Sequence, residues 1–147
     1  MGLEELFGRI EKRFGKEAVV GNDIKVDTVS SGSMALDEIL GGGFALGRIH
    51  EIYGGFSSGK SSAALHLSAS VQKTLGKAVG YVDTEQALDL EYAKALGVDL
   101  SRDKWIMSQP DSAEQALEIV REMLEVPEIG LVVLDSVAGL VPEAVLQ

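Results

Sequence analysis

A chain of 147 residues with 46% hydrophobic and 24% charged residues carries enough apolar material for one packed domain, and its 17 glycines promise many tight turns. A formal charge of -10 argues against a broad basic surface for nucleic acid, so any polynucleotide contact is expected to be local. The absence of cysteine excludes disulfide scaffolds, cysteine zinc sites and thiol nucleophiles; no apolar run reaches membrane-spanning length, and Glu4 and Glu5 stand where a signal peptide carries positive charge, so no membrane contact and a cytoplasmic setting are expected.

The first element is a helix over residues 3–14. Leu3, Leu6, Phe7, Ile10 and Phe14 recur at helical spacing, charged residues fill the other face, and Gly15 supplies a stop. Such a stripe needs a surface, either its own domain or another subunit. Residues 26–29 predict a brief strand, and Ser30-Ser31-Gly32-Ser33 a turn in which Ser33 caps a helix running to Leu40. Gly41-Gly42-Gly43 reads as a flexible connection into a strand over residues 48–53.

After that strand comes Gly54-Gly55-Phe56-Ser57-Ser58-Gly59-Lys60-Ser61-Ser62, which has the phosphate-loop spacing of glycine, four residues, then Gly-Lys-Ser/Thr. Glycines let successive backbone N–H groups turn inward around a phosphate, and the N-terminus of a following helix over residues 61–75 faces the same point. Lys60 would bring charge to the β/γ-phosphates and Ser61 a hydroxyl to Mg²⁺.

Ala78-Val79-Gly80-Tyr81-Val82-Asp83 is a continuous apolar run ending in acid, as expected of a parallel strand covered on both faces. Asp83 and Glu85 then fall at the sheet edge where ligands of open α/β sheets bind. Asp89 can cap a short helix carrying Tyr92 and closed by Gly97, residues 104–108 form a third strand, and overlapping capping boxes at Asp111 and Ser112 start a helix that Pro127 ends. Leu131-Val132-Val133-Leu134-Asp135 repeats the pattern of apolar strand and terminal acid; Asp135 would hold Mg²⁺ opposite Ser61. No guanine-reading Asn-Lys-x-Asp is present, which favours ATP. The fold class expected is α/β, a P-loop NTPase core with a mostly parallel sheet flanked by helices and preceded by an N-terminal helix.

Over nearly its whole length the chain resembles the bacterial RecA recombinases. Beyond the glycine loop the resemblance rests on Arg13-Phe14-Gly15-Lys16, Glu51-Ile52-Tyr53-Gly54, Glu85 with Ala87-Leu88-Asp89, Leu96-Gly97-Val98-Asp99, Ser108-Gln109-Pro110-Asp111 and Asp135-Ser136-Val137-Ala138. It implies an ATP-dependent filament former acting in homologous recombination, DNA repair and the SOS response, with residues 1–30 as an N-terminal docking segment of a helix and short strand and residues 31–147 as a partial ATP-binding core. Within it Glu85 looks like the glutamate that activates water, Lys60 and Ser61 like the phosphate and Mg²⁺ residues, Asp135 like the Walker B acid, Asp89 and Tyr92 like adenine contacts, and the N-terminal helix like the one that docks on a neighbouring protomer. The family usually has Pro-Glu where this chain has Gly55-Phe56, and His where it has Gln86. Its DNA-binding loops would follow Gln147, so single-stranded DNA is expected as a partner of the complete protein only. In that family another strand lies between the Walker B strand and the phosphate-loop strand. The alternative function is a nucleotide-binding assembly module without turnover or DNA contact.

Overall fold

The computed structural model describes residues 2–19 and 26–146; the polar stretch at residues 21–23 lies outside them. Helix α1, Leu3–Phe14, forms where the apolar spacing predicts it, with Glu4 and Glu5 in its first turn and Lys12 and Arg13 in its last, each sign matched to the helix dipole. None of its residues is buried, and Leu3, Phe7 and Phe14 face solvent. A 3-10 turn, Lys16–Ala18, follows.

Strand β1, Thr28–Val29, pairs antiparallel with β2, Phe44–Ala45, and Val29 lies opposite Phe44, both buried. Helix α2, Met34–Ile39, sits between them. Ser33 stands at its N-cap without a side-chain bond; Asp37 instead ties the preceding turn, accepting from the Ser30 hydroxyl and from the Ser31 N–H at 2.7 Å. The triple glycine therefore leads into β2, a strand the residue pattern did not foresee. Gly43 has φ +114, and a Cβ there would run into the carbonyl of Val29, so the close approach of β1 requires glycine.

The predicted strand over residues 48–53 does not form a ladder. Ile49 and Tyr53 are exposed, and among the described residues no strand lies alongside them. Backbone in extended conformation becomes a strand only when a neighbour takes up its N–H and C=O groups. Helix α3, Lys60–Leu75, then crosses to β3, Ala78–Asp83. Helix α4, Leu90–Ala95, leads to β4, Trp105–Ser108; helix α5, Ala113–Leu124, leads to β5, Ile129–Asp135; and a short helix α6, Glu143–Leu146, follows. The main sheet is parallel, in the order β4-β3-β5.

All six residues of central β3 are buried, as its unbroken apolar run predicts, whereas every residue of β5 is half-buried. On one face Val79, Tyr81 and Trp105 pack with Leu65, Leu67 and Val71 of α3; on the other Val82 packs with Ala116 and Met123 of α5. Leu65, Leu67, Ser68, Ser70 and Val71 form the buried side of α3, and Leu75 at its end is exposed. No helix among the described residues is long and apolar enough to cross a membrane.

Candidate functional site

The site grows from the C-terminal ends of β3 and β5. Asp83 and Asp135 are partners in register across these parallel strands. Side chains alternate faces along a strand, so Tyr81, two residues before Asp83, projects to the same side. Its hydroxyl donates to Asp135 Oδ2 at 2.7 Å. Burial first, then this bond and the charges of Asp135 and Asp83, push the Tyr81 phenol far above its usual range, so it stays a protonated donor.

Asp83 serves the backbone. It accepts from the N–H groups of Ala87 and Leu88, at 3.4 and 3.1 Å, and from the Gln109 amide at 3.1 Å. These bonds fold residues 84–88 into the turn that carries Glu85. A second clamp fixes that turn to the end of β5: Thr84 Oγ1 donates to the Ser136 carbonyl at 2.7 Å and accepts from the Ser136 N–H at 2.9 Å. Ser136 in turn donates its hydroxyl to Glu85 Oε1 at 2.5 Å. The Asp135–Ser136 peptide bond is cis.

Asp89 caps α4 by accepting from the Tyr92 N–H at 3.0 Å, as its position predicts. The Tyr92 hydroxyl meets Ser62 Oγ at 3.0 Å, which ties α4 to the first turn of α3. A pocket of about 170 Å³ opens between these elements, walled by Ser61, Glu85, Asp89, Tyr92 and Asp135 over Leu65 and Leu88.

The glycine loop lies beside this pocket. Gly59 takes the left-handed conformation, φ 89, and starts α3 at Lys60. Gly54 passes so close to Ser58 that a Cβ would lie 2.9 Å from its hydroxyl. Phe56 is fully exposed at the tip, and Ser57 has φ 57. Lys60 folds back on its own loop, donating to the carbonyls of Gly54 at 3.1 Å and Gly55 at 2.9 Å. Thus Ser61, Glu85, Asp89, Tyr92 and Asp135 share one pocket, while Gly54, Gly55, Phe56, Ser57, Ser58, Gly59, Lys60 and Ser62 do not line it.

The carboxylate of Asp135 and the hydroxyl of Ser61 are hard oxygen donors on one cavity, a set that suits Mg²⁺ completed by water and phosphate oxygens. Tyr81, Thr84 and Ser136 escaped the sequence reading. Tyr81 left one signal, a hydroxyl in the middle of a strand otherwise fit for complete burial, which must find a partner.

The RecA N-terminal domain family matches residues 2–147. Protein RecA of Acholeplasma laidlawii is 50% identical over 97% of this chain and 44% of its own length. Protein RecA of Arthrospira platensis is 49% identical over 99% of the chain and 40% of its own length, and that of Mesomycoplasma hyopneumoniae (strain 7448) 51% identical over 99% and 44%. The chain thus spans less than half the length of these curated relatives.

Proposed function

We propose, on the premise that this chain belongs to the RecA family through its N-terminal domain, that it is the ATP-binding part of a RecA-like DNA-dependent ATPase and recombinase. The observation that carries the reading is the pocket at the carboxyl ends of β3 and β5, which Ser61 in the first turn of α3 also lines. A helix start with free N–H groups beside a carboxylate-lined cavity suits a nucleotide triphosphate with its cation.

In this reading the fold is a P-loop NTPase core. Residues Gly54 to Gly59 wrap the phosphates, and Lys60 exchanges its loop carbonyls for phosphate oxygens. Ser61 and Asp135 hold Mg²⁺, which would offset charge on the β- and γ-phosphates. Glu85 orients and deprotonates the attacking water, its carboxylate steadied by Ser136. Tyr92 offers a ring face and Asp89 a polar edge to adenine. The unburied apolar stripe of α1 supports a neighbouring protomer as its partner, and hence filament assembly. Single-stranded DNA is a partner of the complete protein, and the cytoplasm is its setting.

The test is titration calorimetry with ATP and ADP, with and without Mg²⁺. Mg²⁺-enhanced binding of both is expected; no heat of binding under either condition would remove the nucleotide site from the reading.

A further inference from the structure

Asp83 and Asp135 face each other in register at the sheet edge, and the chain treats their oxygens differently. Both oxygens of Asp83 are taken, by Ala87, Leu88 and Gln109. Asp135 has Oδ2 occupied by the Tyr81 hydroxyl, and among the described residues Oδ1 has no hydrogen-bond partner. A carboxylate held by one oxygen has its rotation fixed and offers the other to the cavity it lines.

We propose that Tyr81 is a positioning residue for the cation: its hydroxyl locks Asp135 so that Oδ1 alone is presented to Mg²⁺. This rests on the reading of Asp135 as a Mg²⁺ residue. Three features support it. Tyr81 is 0% exposed, so water cannot replace its hydroxyl as the donor. Its ring is wedged against Trp105, with centroids 5.3 Å apart, so the hydroxyl cannot swing away. The phenol also draws charge from Asp135 beside Asp83, which reduces like-charge repulsion while no cation is bound. Tyr81 itself touches neither nucleotide nor cation in this arrangement, because it approaches Asp135 from within the sheet and does not line the pocket.

The experiment compares the full chain with Tyr81→Phe, Asp135→Asn and Val82→Ala, reading binding of a fluorescent ADP analogue first in chelator and then through a Mg²⁺ titration. Tyr81→Phe keeps the ring and its packing, and Val82→Ala deletes core volume on the opposite face of the same strand, so it reports what a merely structural loss does. The expected result is unchanged binding in chelator for Tyr81→Phe and Val82→Ala, with the Mg²⁺ half-saturation raised about tenfold in Tyr81→Phe and at least as far in Asp135→Asn, and unmoved in Val82→Ala. If Asp135→Asn shifts the titration and Tyr81→Phe does not, the positioning role is overturned while the cation site stands. If neither shifts it, Asp135 is no Mg²⁺ residue and both fall. A shift in Val82→Ala equal to that in Tyr81→Phe would reduce Tyr81 to a core residue.

Discussion

Ser136 donates its hydroxyl to Glu85 and thereby joins the end of β5 to the turn after β3. Because the Ser136 backbone is itself pinned on both sides by Thr84 Oγ1, Glu85 is held by a neighbour that cannot drift. The bond separates two roles for Glu85 that mutation can distinguish. Glu85→Gln keeps an acceptor for Ser136 and loses the base, so nucleotide affinity stays within a few-fold while phosphate release falls to background. Ser136→Ala keeps the base and frees it, so phosphate release falls about 10- to 100-fold, the scale of a misplaced catalytic group. Equal phosphate release by the wild type and Glu85→Gln would leave Glu85 as a structural acid.

Lys60 carries a different expectation. Its ammonium spends two hydrogen bonds on the carbonyls of Gly54 and Gly55, which a nucleotide must compete for. Phosphate oxygens are stronger acceptors than amide carbonyls, so the exchange is favourable. Lys60→Ala should weaken ATP binding by about 1.5 to 3 kcal/mol, the scale of a hydrogen bond to a charged group. Calorimetry on the two proteins measures it, and identical affinities would take Lys60 out of the site.

Much of this was legible in the residues, for reasons that differ by element. The strands at residues 78–83 and 131–135 announce themselves because burial on both faces demands an unbroken apolar run, and the terminal acids mark where each leaves the sheet. Ser61, Glu85 and Asp135 could be singled out because helix starts and strand ends are local features, whereas Asp89 and Tyr92 entered as site residues through the family resemblance; the fold brings all five to one pocket. The strand at residues 48–53 could not be judged locally, since apolar composition says nothing about whether a partner strand is alongside. Likewise the Tyr81–Asp135 bond depends on cross-strand register, which sets 81 against 133 and leaves 135 within reach. Apolar spacing in α1 gave the helix and was silent on what covers it.

Gly139 supplies a prediction about the same wall. A Cβ at this position would lie 2.5 Å from Thr84 Oγ1 and 3.2 Å from Glu85 Cγ. Gly139→Ala should therefore destabilise by about 1 to 3 kcal/mol, as overpacking does. Removing the obstructing hydroxyl makes room, so Gly139→Ala with Thr84→Ala should cost at least about 0.5 kcal/mol less than the sum of the two single changes. Denaturant titration of the four proteins closes the cycle, and simple additivity would show that the two residues do not crowd each other.

Asp37 predicts an acid dependence. The Ser30 hydroxyl first, then Ser31, hold its carboxyl below the ordinary value of 3.8. A carboxylate whose folded pKa is depressed contributes stability that is full above the unfolded value and is lost as pH falls through the folded one. Asp37→Asn should therefore lower Tm at neutral pH, and the gap to wild type should close as pH drops below 3.8. A gap that stays constant down to that range would mean the turn gains nothing from the charge.

The free side of β5 makes the last prediction. The Thr84 N–H donates to the Asp135 carbonyl, so the N–H and C=O of Asp135 face β3. Alternation along the strand then turns Leu131 and Val133 toward β3 and Val132 and Leu134 away from it. Among the described residues β5 has no strand on that outer side, and nothing else accepts from the Val132 or Leu134 N–H. Hydrogen exchange followed residue by residue should divide the strand accordingly, with the amides of Leu131 and Val133 exchanging about tenfold or more slowly than those of Val132 and Leu134. Central β3, which gives its odd residues to β4 and its even ones to β5, should be protected throughout. Residues 48–53 should exchange as fast as Val132, since Ile49 and Tyr53 are exposed and their backbone has no ladder. A strand supplied between β5 and residues 48–53 would take up both sets at once, because an unpaired edge is a template for one more strand. Protection should then appear together at Val132, Leu134 and residues 48–53. Slow exchange at Val132 and Leu134 in the chain by itself would mean that this edge is already paired.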